Sequence, residues 1–395
     1  MMIQLPSSKS ISNRLLIMQA LAESKFEIEN LSTADDTTIL HAALKSKSQV
    51  LDLGMAGTAF RFLTAYCSIQ NETRVLTGHQ RMKERPIAPL VLALKELGCE
   101  INYLEKEGFP PLEIRGTKLL HKQISLEASI SSQFVSALLM IAPYCQGGLE
   151  ITMQGELVSE PYITMTLNLM SQLSISTIRK NNGIKVFEGA YQRSKPMRVE
   201  ADWSSAAFFY QYFACSNLKT LQIAGLQVNS IQGDSKLSSI FELLGLRTSQ
   251  TEWGVSLSKV ECNTKAITFD LIETPDLVPS VAIAAALLKE TCIISGVKTL
   301  RIKESNRVLA LKNELAKINI EVLDLDENRI QLTKLGTLPN SVYFKTYNDH
   351  RMAMSLAMLK ARIPEIELEQ KEVVSKSFPN FWEELENCLK ADKVN

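Results

Sequence analysis

None of the seven cysteines stands in a CxxC pair or at metal-ligand spacing from a histidine. That excludes a zinc ribbon or a dithiol redox motif and points to a reducing compartment. No apolar run approaches the roughly 20 residues that a membrane helix needs; VAIAAALL, at 281–288, is among the longest. Neither sign of charge is in excess, with 43 Lys and Arg against 43 Asp and Glu. A generic binder of nucleic acid or of an acidic membrane surface is thereby excluded, and any basic site must be local. No Pro, Gly or Ser tract marks a free linker, and the opening MMIQLPSSKS lacks the basic then apolar layout of a secretory leader. The expectation is a cytoplasmic chain that binds neither nucleic acid nor membrane. Its 395 residues, 45% of them hydrophobic, suffice for two separate cores.

What the chain does have is repetition. Six times a short turn bearing Ser, Gly, Asp or His opens into a small-residue apolar helix, at Ser8, Gly57, Ser131, Ser204, Asp276 and Asp349. After a first step of 49 residues the openings recur at intervals of 74, 73, 72 and 73. A fixed period this long means one supersecondary unit copied several times, with the helix starts in equivalent places. Converging helix starts favour anions, because their free N–H groups and dipoles point the same way.

Each opening helix is followed by a more charged segment with apolar residues three and four apart, such as DDTTILHAALK and ESNRVLALKNELAKINIEV. That spacing gives a one-sided helix. Four of these continue into alternating segments split by a turn signal, for example TIRKNNGIKVFEG, which read as hairpins. The fold class expected is α/β, with six βαβαββ-type copies, the first and last trimmed. Three copies per lobe divide the chain into 8–201 and into 1–7 plus 202–395, with crossings near Ser8 and Asp202.

The openings carry the candidate ligands. Ser10 and Arg14 lie four apart on one helix face, where a hydroxyl and a guanidinium can grip one carboxylate, and Lys9 sits at the helix start. A capped surface helix would look the same. Gly57 lets a ligand approach the backbone, and LTGHQRMKERP sets Arg81, Lys83 and Arg85 in a row before a proline. Ser131, Ser132 and Gln133 offer two hydroxyls and an amide to a phosphate, with Ser159 and Tyr162 as a further hydroxyl and a ring face. Paired serines of this kind also serve simply as caps.

In the second half, Asp276 precedes an almost wholly apolar helix. Burial would raise its pKa toward general-base range, and nearby Lys or Arg would lower it. Lys303 and Arg307 share a face with Glu304 between them, His350 and Arg351 open the last small-residue helix, and Lys376 lies in the tail.

The strings SKSISNR, AGTAFR, RMKERPI, SSQF, PYITMTLNLM, QGD, RIKESNR, YNDHRMAM and FPNF follow one another across the whole chain. In that order they resemble the 5-enolpyruvylshikimate-3-phosphate synthase family, within the enolpyruvyl transferases. The resemblance implies two lobes of inward-facing parallel helices with a cleft between them. It also implies a monomer without metal or other cofactor, whose partners are the small molecules shikimate 3-phosphate and phosphoenolpyruvate.

By resemblance, Lys9, Ser10, Arg14, Ser131, Ser132, Gln133, Ser159, Tyr162, Asp276 and Lys303 meet shikimate 3-phosphate. Lys9, Gly57, Arg85, Gln133, Arg307, Arg351 and Lys376 meet phosphoenolpyruvate. The catalytic set is Asp276, Glu304 and Lys9. The chain departs from the family at Met55 and Thr299, where Asn is usual, and in its short first copy. The sister transferase that acts on a nucleotide sugar uses a cysteine in a charged loop, and no cysteine here has that setting. A relative that binds without turnover is the other reading, against which Lys9, Asp276 and Glu304 stand.

Overall fold

The structure is a computed structural model that describes residues 1–24, 26–119, 123–127 and 131–394. Among the described residues, four four-stranded sheets share one topology. In the first, Val50–Asp52 runs parallel to Thr73–Thr77, which pairs antiparallel with Leu112–Arg115, and Glu100–Tyr103 closes the edge. The second takes Gln123–Glu127, Leu149–Gln154, Gly183–Val186 and Thr177–Lys180 in that order. The third takes Ala266–Asp270, Thr291–Ser295, Arg329–Lys334 and Ile320–Asp324. In all three a small-residue helix crosses between the parallel strands, as a parallel pair requires.

The fourth sheet borrows its first strand from the N-terminus: Met2–Ile3 lies parallel to Thr220–Ala224, followed by Gly254–Lys259 and Leu246–Thr251. In exchange, Met197–Arg198 pairs in parallel with Ile28–Glu29. Ser341–Phe344 with Glu365–Leu368 forms the other two-stranded parallel pair. The segment after Lys45 holds only Val50–Asp52 before the next helix, so the first copy has no hairpin.

By internal contacts the chain divides into two compact units, Lys9–Val199 and Met1–Ser8 with Glu200–Asn395. Ser8, Glu200 and Ala201 thus belong with the second unit rather than with residues 9–199. The reason is local: Ser8 N–H donates to Glu200 O at 2.8 Å, and Ser7 bridges Ala201.

The crossing helices are core. Every residue of Trp203–Cys215 is buried, and Val278–Leu288 is buried from Val278 to Leu287. A helix apolar on all sides must be enclosed. In the first unit Gly57–Ser68 packs on Ser132–Ile141, which packs on Glu160–Gln172; in the second, Val278–Leu288 packs between Trp203–Cys215 and His350–Ala357. The charged second helices bury one face only: Asp35–Lys45 hides just Asp36, Thr37 and Leu40.

Candidate functional site

The candidate residues gather in two clusters, one in each unit. In the unit of residues 9–199, Lys9 is the first residue of the helix Lys9–Leu21, and its Nζ lies 3.0 Å from Asp36 Oδ2. Asp36 opens the next helix and is nearly buried, so it fixes the lysine head.

Arg14 is buried, and its N–H groups point inward. Nε donates to Thr166 Oγ1 at 2.7 Å, Nη1 to Ser10 O at 2.9 Å, and Nη2 to Ser136 Oγ at 3.1 Å and Tyr162 O at 3.3 Å. The guanidinium stacks over the rings of Phe62 and Tyr162, 5.3 and 5.8 Å from their centroids. Burial lowers its pKa to about 10. Ser10 thus meets Arg14 through its carbonyl, one helical turn away.

Ser131 caps the helix Ser132–Ile141 by accepting from Gln133 N–H at 3.2 Å, and the Gln133 amide reaches Thr58 Oγ1 at 3.1 Å. Ser132 and Ser159 are buried, and Ser159 holds a left-handed φ of 58° at the start of Glu160–Gln172. Gly57 is the first residue of the helix Gly57–Ser68. A Cβ there would come 2.3 Å from Arg85 Nη1 and 3.0 Å from Arg61 Nη1, so the space it leaves holds protein cations. Arg61 also donates to Gly57 O at 2.9 Å and sits 5.9 Å from the Phe134 ring centroid.

The second cluster is denser. Asp276 lies in the 3-10 turn Pro275–Leu277 ahead of Val278–Leu288. Glu304 precedes the helix Arg307–Ala316, which Asn306 caps, and Arg351 follows the Asp349 cap of His350–Ala357. That cap is Asp349 and not His350, which is buried beside it. Lys376 is set by its neighbours Phe378 and Phe381, which pack on Phe209 with ring centroids 6.0 and 6.4 Å apart.

Arg307 joins three carboxylates. Nη1 reaches Asp276 Oδ1 at 3.1 Å, Nη2 reaches Glu304 Oε2 at 2.9 Å, and Nε reaches Asp349 Oδ2 at 2.8 Å. Arg351 Nη2 takes the other Asp276 oxygen at 2.8 Å, Lys303 Nζ lies 3.8 Å from Asp276, and Lys376 Nζ lies 3.2 Å from Glu304 Oε1. Burial pushes the Asp276 pKa upward, but Arg351, Lys303 and Arg307 outweigh it and hold the carboxyl well below the usual range. Of the two opposing influences on Asp276, the cations win. The same carboxylates raise Arg307 above its ordinary value against the effect of its burial.

Sequence reading missed several members of these clusters. Asp36, Asp349, Ser136, Thr166 and Arg61 are partners of named residues, and Asp234 is a buried carboxyl at about 6, raised by burial and by Asp276. Its partner is the Ser204 hydroxyl. Asp234 lay in QGD and Asp349 in YNDHRMAM, so the signal was a known string without an assigned role. Among the described residues no group of three or more His, Cys, Asp and Glu is placed to hold a metal ion.

Cations and carboxylates thus collect at the helix openings of the repeated parallel-pair-and-hairpin sheets. The fold is similar to that of EPSP synthase from Acinetobacter baumannii, with a TM-score of 0.80 at 22% identity, covering 98% of this chain and 95% of that one. The sequence is 40% identical over 390 residues to the 3-phosphoshikimate 1-carboxyvinyltransferase of Bacteroides fragilis strain YCH46, covering 97% of this chain and 94% of the relative. It is 36% identical over 418 residues to that of a Sulfurovum species, covering 98% and 96%. Residues 2–46 and 39–385 match the family described as EPSP synthase (3-phosphoshikimate 1-carboxyvinyltransferase), and the chain belongs to that family. No helix among the described residues is long and apolar enough to cross a membrane.

Proposed function

We propose that the chain transfers the enolpyruvyl group of phosphoenolpyruvate to the 5-hydroxyl of shikimate 3-phosphate and releases phosphate, a step toward chorismate and the aromatic amino acids. The reaction runs by addition and elimination. Asp276 takes the proton of the 5-hydroxyl as that oxygen attacks C2 of phosphoenolpyruvate, and Glu304, having taken up a proton from solvent, gives it to C3 to make a methyl group. Glu304 then removes a proton from that methyl as the bond to phosphate breaks, and Lys9 stabilises the charge on the departing group.

The observation that carries this reading is the pair Asp276 and Glu304 joined through the one guanidinium of Arg307. Two carboxylates beside four cations suit a reaction that must bring two anionic substrates together and move one proton from oxygen and one to carbon. Ser131, Ser132 and Ser159 would hold the phosphate of shikimate 3-phosphate, with Ser10, Arg14, Tyr162, Asp276 and Lys303 about the rest of it and Gln133 between the two substrates. Gly57, Arg85, Gln133, Arg307, Arg351 and Lys376, with Lys9, would take phosphoenolpyruvate. On this reading the chain works as a monomer in the cytoplasm, in keeping with its seven unpaired thiols.

A phosphate-release assay tests it. Release should require both phosphoenolpyruvate and shikimate 3-phosphate; release with phosphoenolpyruvate alone, or none with both, would overturn it.

A further inference from the structure

Three carboxylates converge on Arg307, and they are not equivalent. Asp349 is fully buried and committed on both oxygens, to Arg307 Nε at 2.8 Å and Nη2 at 3.2 Å, to the Ser305 hydroxyl at 2.9 Å and to Arg351 N–H at 3.0 Å. Asp276 keeps 24% of its side chain exposed and Glu304 12%. Three of the cations that hold these two, Arg307, Arg351 and Lys376, are assigned above to phosphoenolpyruvate, and the fourth, Lys303 beside Asp276, to shikimate 3-phosphate.

We propose that Asp276 and Glu304 act as internal stand-ins for the phosphate and carboxylate of phosphoenolpyruvate. The arriving substrate displaces them from Arg307, Arg351 and Lys376, while Asp349 remains as the fixed counter-ion that positions Arg307. This rests on the proposed reaction and adds how its proton-transfer groups are switched on.

The electrostatics of the cluster require some such exchange. Arg307 and Arg351 stand in the first turns of their helices, where the dipole disfavours a cation, and Arg307 is desolvated as well. They need anions at all times. Phosphoenolpyruvate brings a carboxylate and a phosphate to cations that already hold Asp276 and Glu304. Both sets of anions call on the same guanidinium and ammonium N–H groups, so they compete, and the more exposed pair is the one placed to yield.

Displacement also changes what Asp276 can do. The charged groups that face it are Arg351, Lys303, Arg307, Glu304 and Asp234. While Arg351, Lys303 and Arg307 hold it, it is a weak base; once Arg307 and Arg351 turn to the substrate, Lys303 alone opposes burial and the acidic neighbours, and its proton affinity rises. The base is thereby strengthened only when phosphoenolpyruvate is in place.

The alternative is that Asp276 and Glu304 stay where they are and support the arginines throughout the cycle. The two accounts differ in the sign of one measurement, the affinity of the shikimate 3-phosphate-saturated enzyme for phospholactate, the saturated and unreactive analogue of phosphoenolpyruvate. If the carboxylates compete with the ligand, Asp276→Asn and Glu304→Gln should each bind phospholactate about fivefold tighter than wild type. Asp349→Asn should bind it about tenfold or more weaker. Equal or weaker binding by both Asp276→Asn and Glu304→Gln, with melting temperatures near wild type, would overturn the proposal. Failure of wild type to bind shikimate 3-phosphate at all would instead remove the proposed reaction, and this inference with it.

Discussion

The guanidinium of Arg85 occupies the space beside Gly57 where a side chain would otherwise stand, with Nη1 2.3 Å from the position of a Cβ. Both residues are buried, and Arg61 Nη1 lies 3.0 Å from the same position. Gly57 thus acts through the placement of Arg85.

Gly57→Ala should therefore push the Arg85 head aside and weaken phosphoenolpyruvate and its mimic glyphosate together. The KM for phosphoenolpyruvate should rise about tenfold, a loss of about 1.4 kcal/mol, with the KM for shikimate 3-phosphate little changed. Steady-state kinetics with each substrate varied in turn, and glyphosate inhibition of both proteins, checks this. Equal inhibition constants would mean that Arg85 tolerates the methyl group without leaving its place.

Arg14 makes a different demand. Its guanidinium ties Thr166, Ser136 and the carbonyls of Ser10 and Tyr162 together inside the unit of residues 9–199. Arg14→Ala removes these bonds, leaves Ser136 Oγ and Tyr162 O with the Thr166 hydroxyl as donor, and opens a cavity, and should cost roughly 3 kcal/mol of stability. Ser131→Ala removes only a helix cap and should cost about 1 kcal/mol. Urea unfolding of the two variants should separate them by that margin; similar midpoints would show that Arg14 is held loosely.

The sheets were legible because their signals are local. Alternation on both sides of a turn such as Asn181–Asn182–Gly183 announces a hairpin within about a dozen residues, and Asn181 does adopt a left-handed φ of 49°. The helix openings were legible for the same reason. The partners were not. Lys9 meets Asp36 across 27 residues, Asp276 meets Arg351 across 75, and Arg14 meets Thr166 across 152. Only the fold decides which of several Asp, Ser or Thr side chains arrives. The sequence could name both influences on Asp276 but not weigh them, because the sign depends on how near three distant cations come. Thr299, in place of the family's usual Asn, is buried with its hydroxyl unpaired among the described residues, and nothing in the structure explains that exchange.

Asp234 offers a pH test. Burial, reinforced by Asp276, raises its pKa to about 6 against the partial relief from Ser204 and Arg351. A carboxyl raised in the folded state favours folding when protonated. Its contribution is therefore fully present below the unfolded value near 4 and is lost as pH rises through about 6. Asp234→Asn removes that loss. Relative to wild type it should gain roughly 2 kcal/mol of stability between pH 4.5 and pH 7.5, as read by urea unfolding at the two pH values. A constant difference at both would mean that Asp234 is ionised throughout.

The two carboxylates of the denser cluster should be separable by kinetics. Asp276→Ala and Glu304→Gln should each lower turnover by on the order of a hundredfold or more, as loss of a general base or acid does. Rapid-quench turnover measurements at saturating substrates check this, and near-wild-type turnover in either variant would remove that residue from proton transfer.

Addition and elimination through Glu304 is the central claim, and isotope incorporation tests it most directly. In heavy water, a proton delivered to C3 of phosphoenolpyruvate comes from solvent, and the transient methyl group then loses one of three hydrogens. Product recovered from wild type with both substrates should carry deuterium in its vinyl methylene, as read by mass spectrometry and NMR. A vinyl methylene free of deuterium after complete turnover would contradict the mechanism and the role given to Glu304.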